Sequence, residues 1–172
     1  MNRKIILLVE DDPDHELLTI RALRRHGIGA DIVVARDGVA ALEYLLGGDN
    51  GVPAASPLPN IILLDLKLPR LNGFEVLVRL RQHERTRFVP VVVLSSSDEA
   101  SDIVNCYRYG ANSYIRKPVD SIKFTEVTRQ LGQYWLELNE VSGPAGDAEW
   151  PRRCAACWWR TTRTTCTWWC AN

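Results

Sequence analysis

The sequence predicts an α/β domain in which a five-stranded parallel sheet is covered by helices on both faces. Short apolar runs alternate along the chain with longer segments whose apolar residues recur at helical spacing. The runs are apolar at nearly every position and rich in β-branched residues, which is typical of strands buried on both faces of a parallel sheet. Since nearly all connections are short, we expect a doubly wound arrangement.

The elements follow one another regularly along the chain. The predicted strands are residues 5–9, 32–35, 61–64, 91–94 and 113–115. Helical spacing marks the segments between them, and we interpret residues 47–59, rich in Pro and Gly, as a surface loop before the third strand. The last helix has the clearest apolar stripe, with members spaced three or four residues apart. They are Phe124, Val127, Leu131, Trp135 and Leu138.

Composition and charge exclude several classes of protein. The 172 residues suit a single soluble domain, with 46% hydrophobic and 24% charged residues. Because 21 basic residues balance 21 acidic ones, net charge does not favour a nucleic-acid or membrane partner. No run approaches the roughly 18 apolar residues of a membrane span. The five after the basic start are too few for a signal peptide, so we expect a cytoplasmic protein.

The composition changes sharply near residue 141. We therefore assign residues 1–141 to the domain and residues 142–172 to a linker and a tail without an independent fold. Residues 150–172 contain five Trp, four Cys, five Thr and four Arg, with no sustained periodicity. Cys154, Cys157, Cys166 and Cys170 could bind zinc or form disulfides, and the Trp and Arg residues could stack on nucleic acid. Over these three we favour an extension without an independent fold, which is either a non-homologous segment from a shifted reading frame or an interaction segment.

Chemistry-bearing side chains follow four of the predicted strands. Glu10 and Asp11 follow the first strand, Asp65 the third, Ser95 the fourth and Lys117 the fifth. Ligands of an open α/β sheet bind beyond the carboxyl ends of its strands, where these side chains would meet. Gathered carboxylates repel one another unless they share a cation, and Mg²⁺ suits oxygen ligands. Acids, Mg²⁺, a lysine and a hydroxyl together indicate phosphoryl transfer, with a carboxylate as the nucleophile.

Other reactive side chains lie away from this cluster in the sequence. We expect His15, His26 and His83 to be surface residues outside the site. Cys106 is expected to be a small buried residue of the fourth helix.

Four motifs resemble the receiver domain of bacterial two-component response regulators. They are ILLVEDDP (residues 6–13), LDLKLPRLNG (64–73), PVVVLS (90–95) and GANSYIRKP (110–118). The resemblance runs from about Lys4 to Leu138 and implies the flavodoxin-like receiver fold, with strand order 2-1-3-4-5. The loop before the third strand, the run at residues 95–99 and Trp135 are also similar to single-domain regulators that partner bacterial and cyanobacterial phytochromes.

The resemblance implies a role for each site residue. Asp65 would be the phosphoacceptor, and Lys117 would bind a phosphoryl oxygen. Glu10 and Asp11 would hold Mg²⁺ together with Asp65 and the backbone carbonyl of Lys67. A sensor histidine kinase, here one linked to a phytochrome, would be the partner.

Two further residues would form the switch. The Ser95 hydroxyl would follow the phosphoryl group, and Tyr114 would turn inward with it. A cis peptide is expected before Pro118. Glu10 stands where Asp is commoner in this family, and Lys67 stands where small polar residues are frequent, which bears on the lifetime of the phosphoryl group.

Output is expected to pass through protein contacts. Only 31 residues follow Val141, too few for a DNA-binding or catalytic output domain, so we expect a stand-alone regulator. The face built by the fourth helix, fifth strand and fifth helix is the predicted homodimer surface. Its aromatic residues are Tyr107, Tyr109, Tyr134 and Trp135.

Three alternatives compete with this function. A pseudo-receiver that is never phosphorylated would act only as a dimeric interaction module. An Asp-nucleophile phosphatase of the haloacid-dehalogenase type needs an acid two residues after its nucleophile, where this chain has Lys67. A flavodoxin-like cofactor binder needs a phosphate loop, which Glu10 and Asp11 would repel. We therefore expect a phosphoacceptor and not an enzyme, apart from slow self-dephosphorylation.

Overall fold

Five parallel strands form one sheet in the computed structural model, which describes residues 4–25, 29–48, 51, 53–117 and 120–139. The strands are β1 (Lys4–Val9), β2 (Ala30–Ala35), β3 (Ile61–Leu64), β4 (Val91–Ser95) and β5 (Ser113–Arg116). Their order in the sheet is β2-β1-β3-β4-β5, as the resemblance implied. The expected domain boundary near residue 141, the tail and the cis peptide at Pro118 lie outside the described residues.

Helices cover both faces of the sheet. They are α1 (Pro13–Arg25), α2 (Gly38–Leu46), α3 (Gly73–Gln82), α4 (Ala100–Arg108) and α5 (Ser121–Gln133), and α5 continues as a π-helix over Tyr134–Leu138. Alternate residues of each strand point to opposite faces. The sheet therefore carries one core under α2, α3 and α4 and a second core under α1 and α5. This confirms the doubly wound prediction.

Burial separates the central strands from the edge strands. Every residue of β3 and β4 is buried, as the apolar runs predicted. The edge strands β2 and β5 are only partly buried, because each has a neighbour on one side alone. Cys106 is buried in α4 as predicted, and burial, with the charge of Asp102, raises the pKa of its thiol to about 11. Among the described residues, no helix has the length and hydropathy of a membrane span.

The predicted apolar stripe of the last helix is wrong at its end. Phe124 and Leu131 are buried, but Leu138 is 69% exposed and Leu136 is buried instead. The cause is the π-helix at Tyr134–Leu138, in which an amide bonds to the carbonyl five residues back in place of four. The wider turn changes which residues face the core.

Three of the four residues of the predicted aromatic face are exposed. Tyr107 and Tyr134 are each about half exposed, in line with a surface position. Tyr109 instead meets the ring of Phe74 on α3 edge-on at 6.1 Å between ring centroids. Trp135 packs against the core under α1 and α5. Tyr109 nevertheless stays 39% exposed, so Trp135 is the one partly buried member of the four.

The first residue of α2 lies unusually close to the connection between β3 and α3. A Cβ atom at Gly38 would lie 2.3 Å from the Leu71 carbonyl oxygen and 2.7 Å from a methyl carbon of Val76. Only glycine fits this contact without a shift of backbone. The contact matters for the site, because it presses the helix against the loop that follows Asp65.

We predict that Gly38→Ala lowers the free energy of unfolding by about 1–3 kcal/mol, the usual cost of overpacking. Gly29→Ala is the matched control, since a Cβ there meets nothing within 4 Å, and its effect should stay within about 0.5 kcal/mol. Urea denaturation of the three proteins measures both changes. Equal stability of Gly38→Ala and the parent chain would contradict the close approach.

Candidate functional site

The carboxyl edge of the sheet brings together the acidic residues and the lysine that the sequence singled out. Glu10, Asp65 and Lys117 each follow directly on a strand. The amide of Glu10 donates to the carbonyl of Ala35, and that of Asp65 to the carbonyl of Val9, both at 3.0 Å. The parallel ladder thus continues one residue past the strands and fixes the backbone of both acids.

The ammonium group of Lys117 bridges the two buried carboxylates. Its Nζ atom lies 2.5 Å from Asp65 Oδ2 and 2.8 Å from Glu10 Oε2. The side chains of Lys117, Asp65 and Glu10 are 5%, 10% and 1% exposed. Burial by itself lowers the pKa of Lys117, but the charges and hydrogen bonds of Asp65 and Glu10 outweigh it and raise that pKa overall. The lysine is therefore held as a cation inside the protein.

Three carboxylates at this edge form a group that fits a divalent cation. Oxygen atoms of Glu10, Asp11 and Asp65 all lie within 4.8 Å of one another. Glu10 Oε1 is buried and has no hydrogen-bond partner among the described residues. Burial raises the pKa of Glu10, although Lys117 opposes the rise. An orphaned buried oxygen beside two more carboxylates is the donor set that a hard divalent cation prefers.

The loop after β3 orients the carboxylate of Asp65. Asp65 Oδ1 accepts the backbone N–H of Leu66 at 2.6 Å and that of Lys67 at 3.3 Å. The Leu66 carbonyl in turn accepts the N–H of Gly73 at 3.0 Å, which closes the loop. A Cβ at Gly73 would lie 2.3 Å from the Asp65 carbonyl oxygen, so this close approach of the loop to Asp65 also requires glycine. The Lys67 side chain is exposed.

Ser95 and Tyr114 meet at the loop between β4 and α4. Ser95 is fully buried, and its Oγ accepts the N–H of Ser97 at 3.2 Å. The Tyr114 hydroxyl donates to the Ser97 carbonyl at 2.9 Å, and the half-buried Tyr114 ring packs against the core under α2, α3 and α4. Ser97 Oγ donates to Asp102 Oδ2 on α4 at 2.6 Å. One loop residue thus connects the predicted switch residues to a helix.

The prediction that all three histidines lie outside the site is wrong for His15. Its Nδ1 atom lies 3.6 Å from Glu10 Oε1 and 3.6 Å from Asp12 Oδ2. The reason is that α1 begins directly after the acidic run, so its first turn stands over the strand end. That short spacing was a signal in the sequence. His83 is exposed at the end of α3, and His26 lies outside the described residues.

The fold and this edge define a receiver. Residues 6–129 match the family model described as the response regulator receiver domain, and the chain belongs to that family. It is 41% identical over 141 residues to the probable methanogenesis regulatory protein FilR2 of Methanothrix harundinacea. The match covers 82% of this chain and 89% of the relative.

Similar solved structures include a regulator that is named for a phytochrome. The phosphorylated cyanobacterial phytochrome response regulator RcpA has a TM-score of 0.76 and 31% identity, covering 83% of this chain and all of that one. The Mn²⁺-bound form of response regulator Rcp1 has a TM-score of 0.74 and 32% identity, with 81% of this chain and 99% of that one covered. Rcp1 comes from Synechocystis. The resemblance drawn from the motifs is therefore confirmed.

We predict that a divalent cation stabilises the protein through the acidic group. At a cation concentration of about 100 times the dissociation constant, the free energy of unfolding should rise by about 2.7 kcal/mol. Asp11→Asn should lose most of this gain, because it removes one of the three grouped carboxylates. Asp14→Asn, which neutralises an exposed acid in the first turn of α1, should keep it. Thermal melts with Mg²⁺ or EDTA compare the three proteins, and an equal gain in all would place the cation elsewhere.

Proposed function

We propose that this receiver accepts a phosphoryl group on Asp65 from a sensor histidine kinase and signals through a change of conformation. The observation that carries the proposal is the setting of the Asp65 carboxylate. Lys117 holds one of its oxygens, and two backbone amides hold the other. A carboxylate oriented in this way, beside two further acids, suits attack on phosphorus.

In the proposed reaction, a carboxylate oxygen of Asp65 forms a bond to phosphorus as the bond between phosphorus and the donor's histidine nitrogen breaks. The product is a mixed anhydride, and the histidine leaves with the electron pair. Lys117 neutralises negative charge of the phosphoryl group, which the carboxylate of Glu10 would otherwise repel. Bound Mg²⁺ would supply further charge neutralisation at the phosphoryl oxygens, held by Glu10, Asp11, Asp65 and the backbone carbonyl of Lys67.

The proposed switch uses the loop between β4 and α4. A phosphoryl group on Asp65 gives the Ser95 hydroxyl a charged acceptor, stronger than any neutral partner. A turn of Ser95 toward that acceptor removes its Oγ from the N–H of Ser97. Ser97 also binds Tyr114 and Asp102, so the change would reach α4. The phosphoryl group thus biases a two-state loop.

The proposed kinase is linked to a phytochrome. The name of RcpA as a phytochrome response regulator supports this assignment. FilR2 is named as a probable methanogenesis regulator, so the two relatives are named for different processes.

The proposed output surface joins α4, β5 and α5. Val104 is 56% exposed on α4, and Tyr107 and Tyr134 are about half exposed on α4 and after α5. Exposed apolar and aromatic side chains of this kind are typical of protein contact surfaces. We propose a homodimer through this face, strengthened by phosphorylation.

We predict that acetyl phosphate with Mg²⁺ adds one phosphoryl group to the parent chain and none to Asp65→Asn, because the amide lacks a nucleophilic oxygen anion. Intact mass spectrometry measures the adduct, and hydroxylamine should remove it as expected for an acyl phosphate. Asp14→Asn serves as the matched control and should be labelled normally.

An adduct that survives in Asp65→Asn would assign the phosphoacceptor to another residue. If neither protein is labelled and beryllofluoride also fails to bind, the chain is a pseudo-receiver.

We predict that Val104→Glu weakens the homodimer formed with beryllofluoride, because it places a charge in the proposed interface. Phe88→Glu is the matched control, since Phe88 is 57% exposed in the connection between α3 and β4. Sedimentation velocity over a range of concentrations measures the association constant of both variants. Equal weakening by both substitutions, or a parent chain that stays monomeric throughout, would contradict the proposed face.

A further inference from the structure

The loop between β3 and α3 contains a strained turn. Arg70 is the one non-glycine residue with a positive φ, 65°, among the described residues. The N–H of Leu71 donates to the carbonyl of Pro69 across it at 2.7 Å. A three-residue turn with a positive φ at its centre is a rare and strained γ-turn. Such strain persists only where surrounding contacts hold it, and it concentrates at functional sites.

Two contacts hold this turn against the start of α2. Arg70 Nη1 lies 3.0 Å from Asp37 Oδ2. The other oxygen of Asp37 accepts the N–H of Ala40 and caps α2, so the carboxylate that receives Arg70 is itself fixed. The Leu71 carbonyl occupies the space that a Cβ at Gly38 would need. The turn is therefore tied to an element outside its own loop.

The same loop carries the amides that orient the phosphoacceptor. Leu66 and Lys67 donate to Asp65 Oδ1, and only two residues separate Lys67 from Arg70. We propose that Arg70 is a positioning residue for the phosphoacceptor site, because its ion pair with Asp37 holds the γ-turn that keeps these two amides on Asp65. The inference rests on the proposed function of Asp65 and adds a residue that acts on that site from a distance.

The positive charge of Arg70 and its positioning contact have opposite effects on the affinity of the site for a cation. A nearby arginine repels a bound cation, so removal of its charge alone tightens binding. Loss of a positioning contact weakens binding, because the acidic group is no longer held in place. Arg36 offers a matched control, since it is also exposed and pairs with Glu16 at 2.9 Å, but it lies outside the β3–α3 loop.

The first experiment titrates Mn²⁺ into the full chain and its variants by electron paramagnetic resonance. Arg70→Ala should weaken binding by about two- to fivefold, the range expected for a partly exposed ion pair. Arg70→Gly should bind more tightly than Arg70→Ala, since glycine accepts a positive φ without steric cost. Arg70→Lys should stay near the parent, and Arg36→Ala should bind equally or more tightly.

A second readout needs no cation. Hydrogen exchange of the peptide containing Leu66 and Lys67 should accelerate in metal-free Arg70→Ala, stay nearer the parent in Arg70→Gly, and remain unchanged in Arg36→Ala. Unchanged exchange in Arg70→Ala would overturn the inference. Mn²⁺ binding by Arg70→Ala that equals or exceeds the parent's would also overturn it, as would equal loss in the alanine and glycine variants.

The two readouts separate this inference from the function on which it rests. A parent chain that binds no Mn²⁺ would count against the proposed cation site, while hydrogen exchange would still decide the role of Arg70. Thermal melts check that each variant is folded at the assay temperature. If Arg70→Ala is not folded at that temperature, Arg70→Lys is used in its place, since it keeps the positive charge.

Discussion

The buried ammonium of Lys117 is the interaction on which the carboxyl edge of the sheet depends. Two carboxylates from strands distant in sequence converge there, and neither could remain charged in a buried setting without a nearby cation. Removing one partner of such a buried pair commonly costs about 3–5 kcal/mol, because the remaining charge is left uncompensated. The lysine thus permits the carboxylates of Glu10 and Asp65 to lie close together, as the proposed phosphoryl transfer to Asp65 needs.

The loops around this edge divide into held and adjustable parts. The loop after β3 is closed on itself by Leu66 and Gly73 and tied to α2 through Arg70, so Asp65, the proposed phosphoacceptor, is held in one orientation. The loop after β4 is adjustable, because its contacts are made by the hydroxyl groups of Ser95 and Ser97, which can exchange hydrogen-bond partners. A rigid acceptor beside an adjustable sensor is the arrangement that a phosphorylation switch requires.

Two sequence expectations were wrong because a local pattern does not show the helix pitch or the tertiary contacts. A π-helix at the end of α5 displaced Leu138 from the apolar stripe, and i, i+3, i+4 spacing cannot anticipate that change of pitch. Tyr109 contacts Phe74 on α3, yet it remains 39% exposed as the prediction of an aromatic face requires. His15 is exposed as predicted, but it does not lie outside the site, because the first turn of α1 brings its Nδ1 atom to 3.6 Å from Glu10 Oε1.

The positions of the strands, the full burial of β3 and β4 and the chemistry of the residues that follow the strands could all be predicted from the sequence. Those features are local: an apolar run ends, and the next residue lies at the edge of the sheet. The sequence does not show which oxygen of Glu10 lacks a hydrogen-bond partner, or that Arg70 pairs with Asp37, 33 residues earlier. Such contacts depend on how separate crossovers bring distant loops together within a few ångströms, and a one-dimensional pattern carries no measure of that distance.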